Sequence, residues 1–269
     1  MFVPETLGLI AGNGEFPLLF AEAARRQGYR VVAVAFPEET SRRLEKLVDE
    51  IHWLSIGQLG KLFGAFKKAG VRRAFMAGQI RHKRLFANLK LDLRAVALLA
   101  RLKDKRADSI LRGVAEALKR EGVVLESPLP FLNESLPRPG VLTRRAPSAQ
   151  EKLDIAFGHR IAKHVAGADI GQTVVVKNQA VLAVEAMEGT DACIVRGGRF
   201  AKTGAVVVKV TKPDQDLRFD MPVVGPRTMQ AMIRAKATAL AFDAGHTLFL
   251  HPAATLALAN QAKIALLAL

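Results

Sequence analysis

A change of pattern half-way along the chain limits the fold more than any other feature. As far as residue 126, short apolar runs alternate with segments of helical periodicity. Residues 7–11 are an apolar run ending on Gly12-Asn13-Gly14, and a helical pattern follows over 16–27 until Gly28 stops it. Strands are expected at 30–35, 51–56 and 74–77, with a helix over 59–69 closed by Gly70. Helices over 89–103 and 108–121 precede a strand at 123–126. Short strands alternating with helices in this way call for a parallel sheet covered on both faces. Residues 1–132 are therefore expected to form a Rossmann-like domain.

Five prolines (Pro128, Pro130, Pro137, Pro139 and Pro147) then fall close together. Proline supplies no N–H and resists helix, so 133–147 reads as a linker. Beyond it the order is different. A helix over 148–165 has Ser148 as N-cap and Glu151 as its capping-box partner. Strands follow at 173–177, 180–185, 193–196 and 206–210, then a helix at 229–237 and strands at 239–243 and 247–250. A helix at 253–262 and a strand at 264–269 close the chain. Residues 148–269 are thus expected to be an α+β domain with a mixed sheet. The class expected for the whole chain is α/β.

With 269 residues, half of them apolar, two ordinary cores are within reach. No apolar run approaches a membrane span, and the start, carrying Glu5 and no basic cluster, does not read as a signal peptide, so a cytoplasmic location is expected. The single cysteine, Cys193, excludes an internal disulfide and a multi-cysteine zinc site. The net charge of +15 favours anionic partners. Between Arg81 and Arg106 there are nine basic residues against Asp92 and Asp104. A helix here would align Lys90, Arg94, Arg101 and Lys105 beside Leu91, Leu98, Leu99 and Leu102. That suits a helix lying at an anionic membrane surface, and equally one packed on a core with a solvated basic face. Aromatic residues are too sparse there to stack on bases, so nucleic acid is not an expected partner.

Gly12, Asn13 and Gly14 stand where a first strand meets its helix, a place where backbone N–H groups receive phosphate. Ala77, Gly78 and Gln79 would lie on the same carboxyl edge. Both are substrate-binding candidates, and both are also ordinary strand-ending turns. A third glycine is missing near Pro17, and the second strand ends without an acid at 33–36, which argues against a dinucleotide. Asp108 is either a helix N-cap or a ligand contact.

Polar residues concentrate further along. Asp169-Ile170-Gly171-Gln172 introduces a strand pair, and Glu185, Glu188, Thr190 and Asp191 surround Gly189 just after it. Lys209, Asp214, Asp216, Arg218 and Asp220 make a second cluster. Carboxylates such as Glu188, Asp191, Asp216 and Asp220 suit a hard divalent cation, which lowers the pKa of a bound water. Arg218 and Lys209 suit pyrophosphate oxygens, with Gln172 and Thr190 beside them. Taken singly, each is also a turn residue or a surface ion pair. The six histidines have no metalloenzyme spacing, and neither a Gly-x-Ser-x-Gly elbow nor a Walker A sequence occurs. A serine or cysteine nucleophile has no support.

Taken together, GLIAGNGEFP, FMAGQI, DSILR, ADIGQTVVV, VLAVEAMEGTDACIVR and KPDQDLRFDMPVVGPRT resemble the UDP-2,3-diacylglucosamine pyrophosphatases of lipid A synthesis that are unrelated to calcineurin-like metallophosphoesterases. The resemblance implies a Rossmann-like domain, a C-terminal domain of unusual topology, a lipid substrate between them and a homodimer. It implies hydrolysis by water, with magnesium or a similar ion such as manganese, to UMP and 2,3-diacylglucosamine 1-phosphate. The family's essential aspartate, in Arg-x-Asp-x-Pro, falls on Asp220. Two departures stand out: Ala107 replaces the first of a commonly paired Asp-Asp, and Ala259-Asn260 replaces a common Ala-Asp. A substrate with two acyl chains also implies a peripheral position on the inner face of the inner membrane. A non-catalytic binder of nucleotide-sugar or acidic lipid is the alternative. A nicotinamide oxidoreductase is disfavoured by the missing ribose-binding acid.

Overall fold

The computed structural model describes residues 4–80, 90–104, 106–213, 215–219 and 221–269. The chain forms two compact units. One comprises Met1–Leu132 and Asp216–Asp220, the other Asn133–Gln215 and Met221–Leu269.

In the first unit, β1 (Thr6–Ala11), β2 (Arg30–Ala35), β3 (Glu50–Trp53), β4 (Arg73–Ala77) and β5 (Val124–Glu126) form a parallel sheet in the order β3-β2-β1-β4-β5. Leu7, Leu9, Val31, Val32, Ala33 and Val34 are fully buried, as a sheet covered on both faces requires. The covering helices are α1 (Phe16–Arg26), α2 (Leu59–Lys68) and, after α3 (Leu93–Arg101), which packs on its neighbouring helices, α4 (Ala107–Arg120).

Helix α3 is shorter than the periodicity predicts, because Asp92 caps it. One Asp92 oxygen accepts from Ala95 N at 2.9 Å, and the other accepts from Gly60 N, in the first turn of α2, at 2.7 Å. One carboxylate therefore serves the N-termini of two helices. Asp92→Ala should cost about 1–2 kcal/mol or somewhat more, since it orphans donors at both ends, and urea unfolding would measure this. The late start breaks the expected stripes. Lys90 and Leu91 precede the helix, and Lys105 lies outside the described residues, as does Leu89. Arg94 turns back onto Glu121 at 2.5 Å, its guanidinium 5.5 Å from the centre of the Phe63 ring. At the next helix the N-cap position is Arg106, with Asp108 inside the first turn.

The second unit carries a six-stranded sheet: β6 (Gly140–Val141), β7 (Thr173–Lys177), β8 (Ala180–Val184), β9 (Ala205–Lys209), β11 (Ala237–Phe242) and β13 (Ala265–Ala268), in the order β6-β13-β11-β9-β7-β8. Strands β13, β11 and β9 run parallel, while β6, β7 and β8 pair antiparallel, so the sheet is mixed. The proline-rich stretch thus supplies an edge strand. A small parallel pair, β10 (Val223–Val224) and β12 (Leu248–Phe249), lies apart.

Alternation divides two cores. Val174, Val176, Val206 and Val208 face α5 (Ala149–Gly167) and its Ile155 and Ala162. Val175, Val207, Leu240 and Phe242 face Cys193, Ile194, Met229 and Met232 of α6 (Thr190–Ala201) and α7 (Pro226–Arg234), with Ala259 of α8 (Pro252–Gln261).

Residues 193–196, expected as a strand, are the middle of α6. Cys193, Ile194, Gly197, Gly198 and Ala201 are its buried face, a helical spacing that two glycines conceal. A Cβ on Gly197 would stand 2.6 Å from Val175, so only glycine lets α6 lie this close to the sheet. The helix expected at 229–237 is displaced to Pro226–Arg234, because Pro226 starts it and the left-handed Lys236 turns the chain into β11.

Helix α5 begins with the expected capping box, Ser148 with Glu151. Arg145 joins it, donating to both Glu151 oxygens at 2.7 and 2.9 Å, to Lys263 O at 2.7 Å and to Thr238 O. Among the described residues no helix is long and apolar enough to cross a membrane.

Candidate functional site

In the first unit the chain reverses direction across the sheet between β1 and β4, and the crevice outside their carboxyl ends is where open α/β sheets receive ligands. The two predicted turns meet there. Gly12 N donates to Ala77 O at 2.8 Å, Asn13 N to Gln79 O at 2.7 Å and Gln79 N to Asn13 O at 3.3 Å. A Cβ on Gly12 would stand 2.7 Å from Gln79 O, and Gly78 has φ +83°. Both glycines are thus required by the close approach of one turn to the other, while Gly14, at φ +99°, has open space around it. Asn13 reaches Glu39 Oε2 at 3.4 Å. Glu39 is buried at the same edge and was missed in the sequence, because it follows β2 by several residues and falls outside the 33–36 window.

In the second unit β9 and β11 end, and β7 begins, at one edge, with Lys209 paired to Thr173 and to Phe242. Lys209, buried, donates to Thr190 Oγ1 at 2.8 Å, and Thr190 donates to Glu185 Oε1 at 2.8 Å. Gln172 N donates to the other Glu185 oxygen at 3.3 Å. Gln172, Thr190 and Lys209 are thus gathered around Glu185, which the sequence placed nearby without a role.

One strand over lies a group that sequence reasoning passed over. Asp243 accepts from Lys163 Nζ at 2.6 Å, from Thr211 N and Oγ1 at 2.8 and 2.6 Å, and from His159 Nε2 at 3.1 Å. Burial works to raise the Asp243 carboxyl, but the bonds from Lys163 and Thr211 outweigh it and hold the group at about 2. An acid directly after an apolar strand, facing His159 and Lys163 one helical turn apart, was the available signal. The group fixes Thr211, at the root of the segment leading to Asp216, Arg218 and Asp220.

Asp216 and Arg218 bind each other, Nε to Oδ1 at 2.8 Å and Nη2 to Oδ2 at 2.6 Å. Arg218 holds the Asp216 carboxyl below its ordinary range, and Asp216 raises the Arg218 guanidinium. Asp216 thus occupies the Nε and Nη2 edge of the Arg218 guanidinium. Asp220 and Asp214 lie outside the described residues.

The other expected metal ligands have partners of their own. Glu188 pairs with Arg196, whose hydrogen bond lowers its carboxyl, and Asp191 lies 3.8 Å from Arg227. Among the described residues no three His, Cys, Asp or Glu side chains gather to hold a metal ion. The described donors alone therefore do not make a magnesium site. Burial pushes the Cys193 thiol up to about 12, so it is no nucleophile at neutral pH.

Comparison with known proteins covers almost the whole chain. Residues 6–135 match the LpxI N-terminal domain and 138–267 the LpxI C-terminal domain. The UDP-2,3-diacylglucosamine pyrophosphatase LpxI of Caulobacter vibrioides (strain ATCC 19089 / CIP 103742 / CB 15) is 31% identical over 267 residues, 95% of this chain and 94% of that protein. Among solved structures, an ADP complex of N5-carboxyaminoimidazole ribonucleotide synthetase aligns at 14% identity and TM-score 0.30 over 65% of this chain and 33% of its own. An ADP-bound biotin carboxylase domain of a thermophilic 2-oxoglutarate carboxylase aligns at 12% and 0.29 over 63% and 34%. Scores this low carry no argument about fold or ligand. The two domain matches and the Caulobacter relative do: this chain belongs to the LpxI family.

Proposed function

We propose that this protein hydrolyses the pyrophosphate of UDP-2,3-diacylglucosamine to 2,3-diacylglucosamine 1-phosphate and UMP, in lipid A synthesis. The observation that carries the reading is the end-to-end match to a pyrophosphatase of that name. Pyrophosphate cleavage needs a positioned water and neutralised charge, with little covalent help from the protein. The chain suits this, with a strongly basic composition, a buried thiol and no nucleophile elbow.

Asp220 is the proposed catalytic carboxylate, orienting the attacking water. Arg218 and Asp216 precede it in the sequence as further catalytic candidates, and Lys209, Thr190 and Gln172 offer polar contacts to substrate. The turns at Gly12–Gly14 and Ala77–Gln79 bind each other, and the open space at Gly14 leaves room for substrate at the sheet edge. Magnesium or manganese, if held, supplies positive charge at the phosphates, and its ligand set must then extend beyond the described donors to Asp220. The resemblance in sequence supports a homodimer, and the lipid substrate supports work at the inner face of the inner membrane.

Incubation with substrate and magnesium should release UMP, and EDTA should stop it until magnesium or manganese is returned. In oxygen-18 water the label should enter the lipid phosphate. No turnover with any divalent ion would favour a non-catalytic binder of the same lipid, and label in UMP would place the attack on the other phosphorus.

A further inference from the structure

Helix α3 presents an apolar face to solvent. Its inner side is accounted for: Ala95 is buried, and Leu98 and Leu102 lie against α4 at Gly113. On the outer side Leu93 is 88% and Val96 50% exposed, and Ala97 and Ala100 are exposed as well. Positions 93, 96, 97 and 100 follow the i, i+3, i+4, i+7 spacing of one helical face. Leu93 heads this stripe and Leu91, also exposed, stands just before it. Exposed Lys90, Arg101 and Lys103 flank it, within the stretch that carries nine basic residues against two acidic ones.

We infer that the outer face of α3 is a membrane-docking surface whose partner is an anionic lipid bilayer. An apolar stripe enters the boundary between headgroups and acyl chains, and basic neighbours meet the anionic headgroups, so the two features are complementary to a single partner. The assignment rests on the lipid substrate proposed above, which must be lifted from a bilayer. It also departs from the sequence expectation of a basic stripe: Arg94 is paired with Glu121, and the face through positions 93, 96, 97 and 100 is aliphatic, with basic residues at its margin.

The test is sedimentation with vesicles of phosphatidylethanolamine and phosphatidylglycerol, alongside UMP release from a short-acyl, water-soluble substrate analogue. Leu93→Ser with Val96→Ser should weaken vesicle binding about tenfold or more, since two exposed aliphatic side chains lose their burial in lipid. Turnover of the soluble analogue and the melting temperature should stay at wild-type values. Arg101→Glu with Lys103→Glu should weaken binding less, and in a salt-dependent way. Undiminished binding by the serine variant overturns the inference. So does light scattering that shows the serine variant dissociating into monomers, which would make the face a contact between copies of the chain. Vesicle binding by wild-type protein that releases no UMP from the analogue would instead refute the hydrolase reading, while supporting the docking surface.

Discussion

Asp220→Ala is expected to lower UMP release by several orders of magnitude and to leave the protein folded. Asp220 is the proposed catalytic carboxylate, at the position that the sequence resemblance implies for the family's essential aspartate. Pyrophosphate hydrolysis offers few other places where one carboxylate could matter as much, because the barrier falls through charge placement and water orientation. The neighbouring geometry explains why stability should survive. Arg218 has its carboxylate partner in Asp216, held through Nε and Nη2, so losing Asp220 does not strip that arginine of its counter-ion. Stability should stay within about 1–2 kcal/mol of wild type. A structural role predicts the opposite: a lowered melting temperature with near-normal turnover in the folded fraction. Measuring both on one preparation separates the two, and a fully active Asp220→Ala protein would remove Asp220 from the mechanism.

Glu151→Ala should produce the largest loss of stability, about 3 kcal/mol, toward the lower end for breaking a buried pair because the Arg145 side chain is 34% exposed. The carboxylate holds Arg145 with two hydrogen bonds and also closes the capping box of α5. Without it the Arg145 guanidinium keeps only the carbonyls of Thr238, Lys263 and Ala146 as partners. Burial works to raise the Glu151 carboxyl, yet Arg145, Thr238 and the Ser148 amide bring it down to about 2 from an ordinary 4.5. A carboxyl with a depressed native pKa stabilises the fold above its unfolded pKa and loses that contribution as pH falls toward the native value. Asp243, held at about 2 from 3.8, acts in the same direction. Urea midpoints should therefore be flat from neutrality to about pH 5 and decline toward pH 2. Glu151→Gln should start lower and decline less, and an acid limb unchanged by this substitution would show that Glu151 carries none of it.

Local signals read well in the sequence where one residue type has one physical use. The alternation of the first half, the Ser148–Glu151 box and the meeting of the two glycine turns at one edge are of this kind. Helix α6 misled because Cys193-Ile194-Val195 looks like a strand, and the glycines that let it touch Val175 lower helix propensity. Strands β6 and β10 are two residues each, too short for any period to register. Asp243 meets Lys163 and His159 from 80 and 84 positions away, a distance that no local pattern reports. Gln172, Thr190 and Lys209 were legible as polar residues at strand ends, but Glu185 as the partner of Gln172 and Thr190, with Lys209 joined through Thr190, was not. Arg218 was read by its charge alone, and what the sequence does not reveal is that Asp216, two residues away, already occupies it.

The N-terminal unit is not finished where its continuous stretch ends. Residues 216–219 complete it: the Leu217 carbonyl accepts from Ser127 Oγ at 3.4 Å, and Phe219 packs against the core that contains Phe66 and Leu118. Synthesis passes Leu132 some 84 residues before Asp216 is made. At ordinary elongation rates that is a wait on the order of ten seconds. Throughout it, the surface that Phe219 will cover faces solvent, and the emerging unit depends on chain not yet translated. A gene divided at this boundary would therefore yield a first fragment missing its closing piece, and a second one carrying that piece with nothing to receive it.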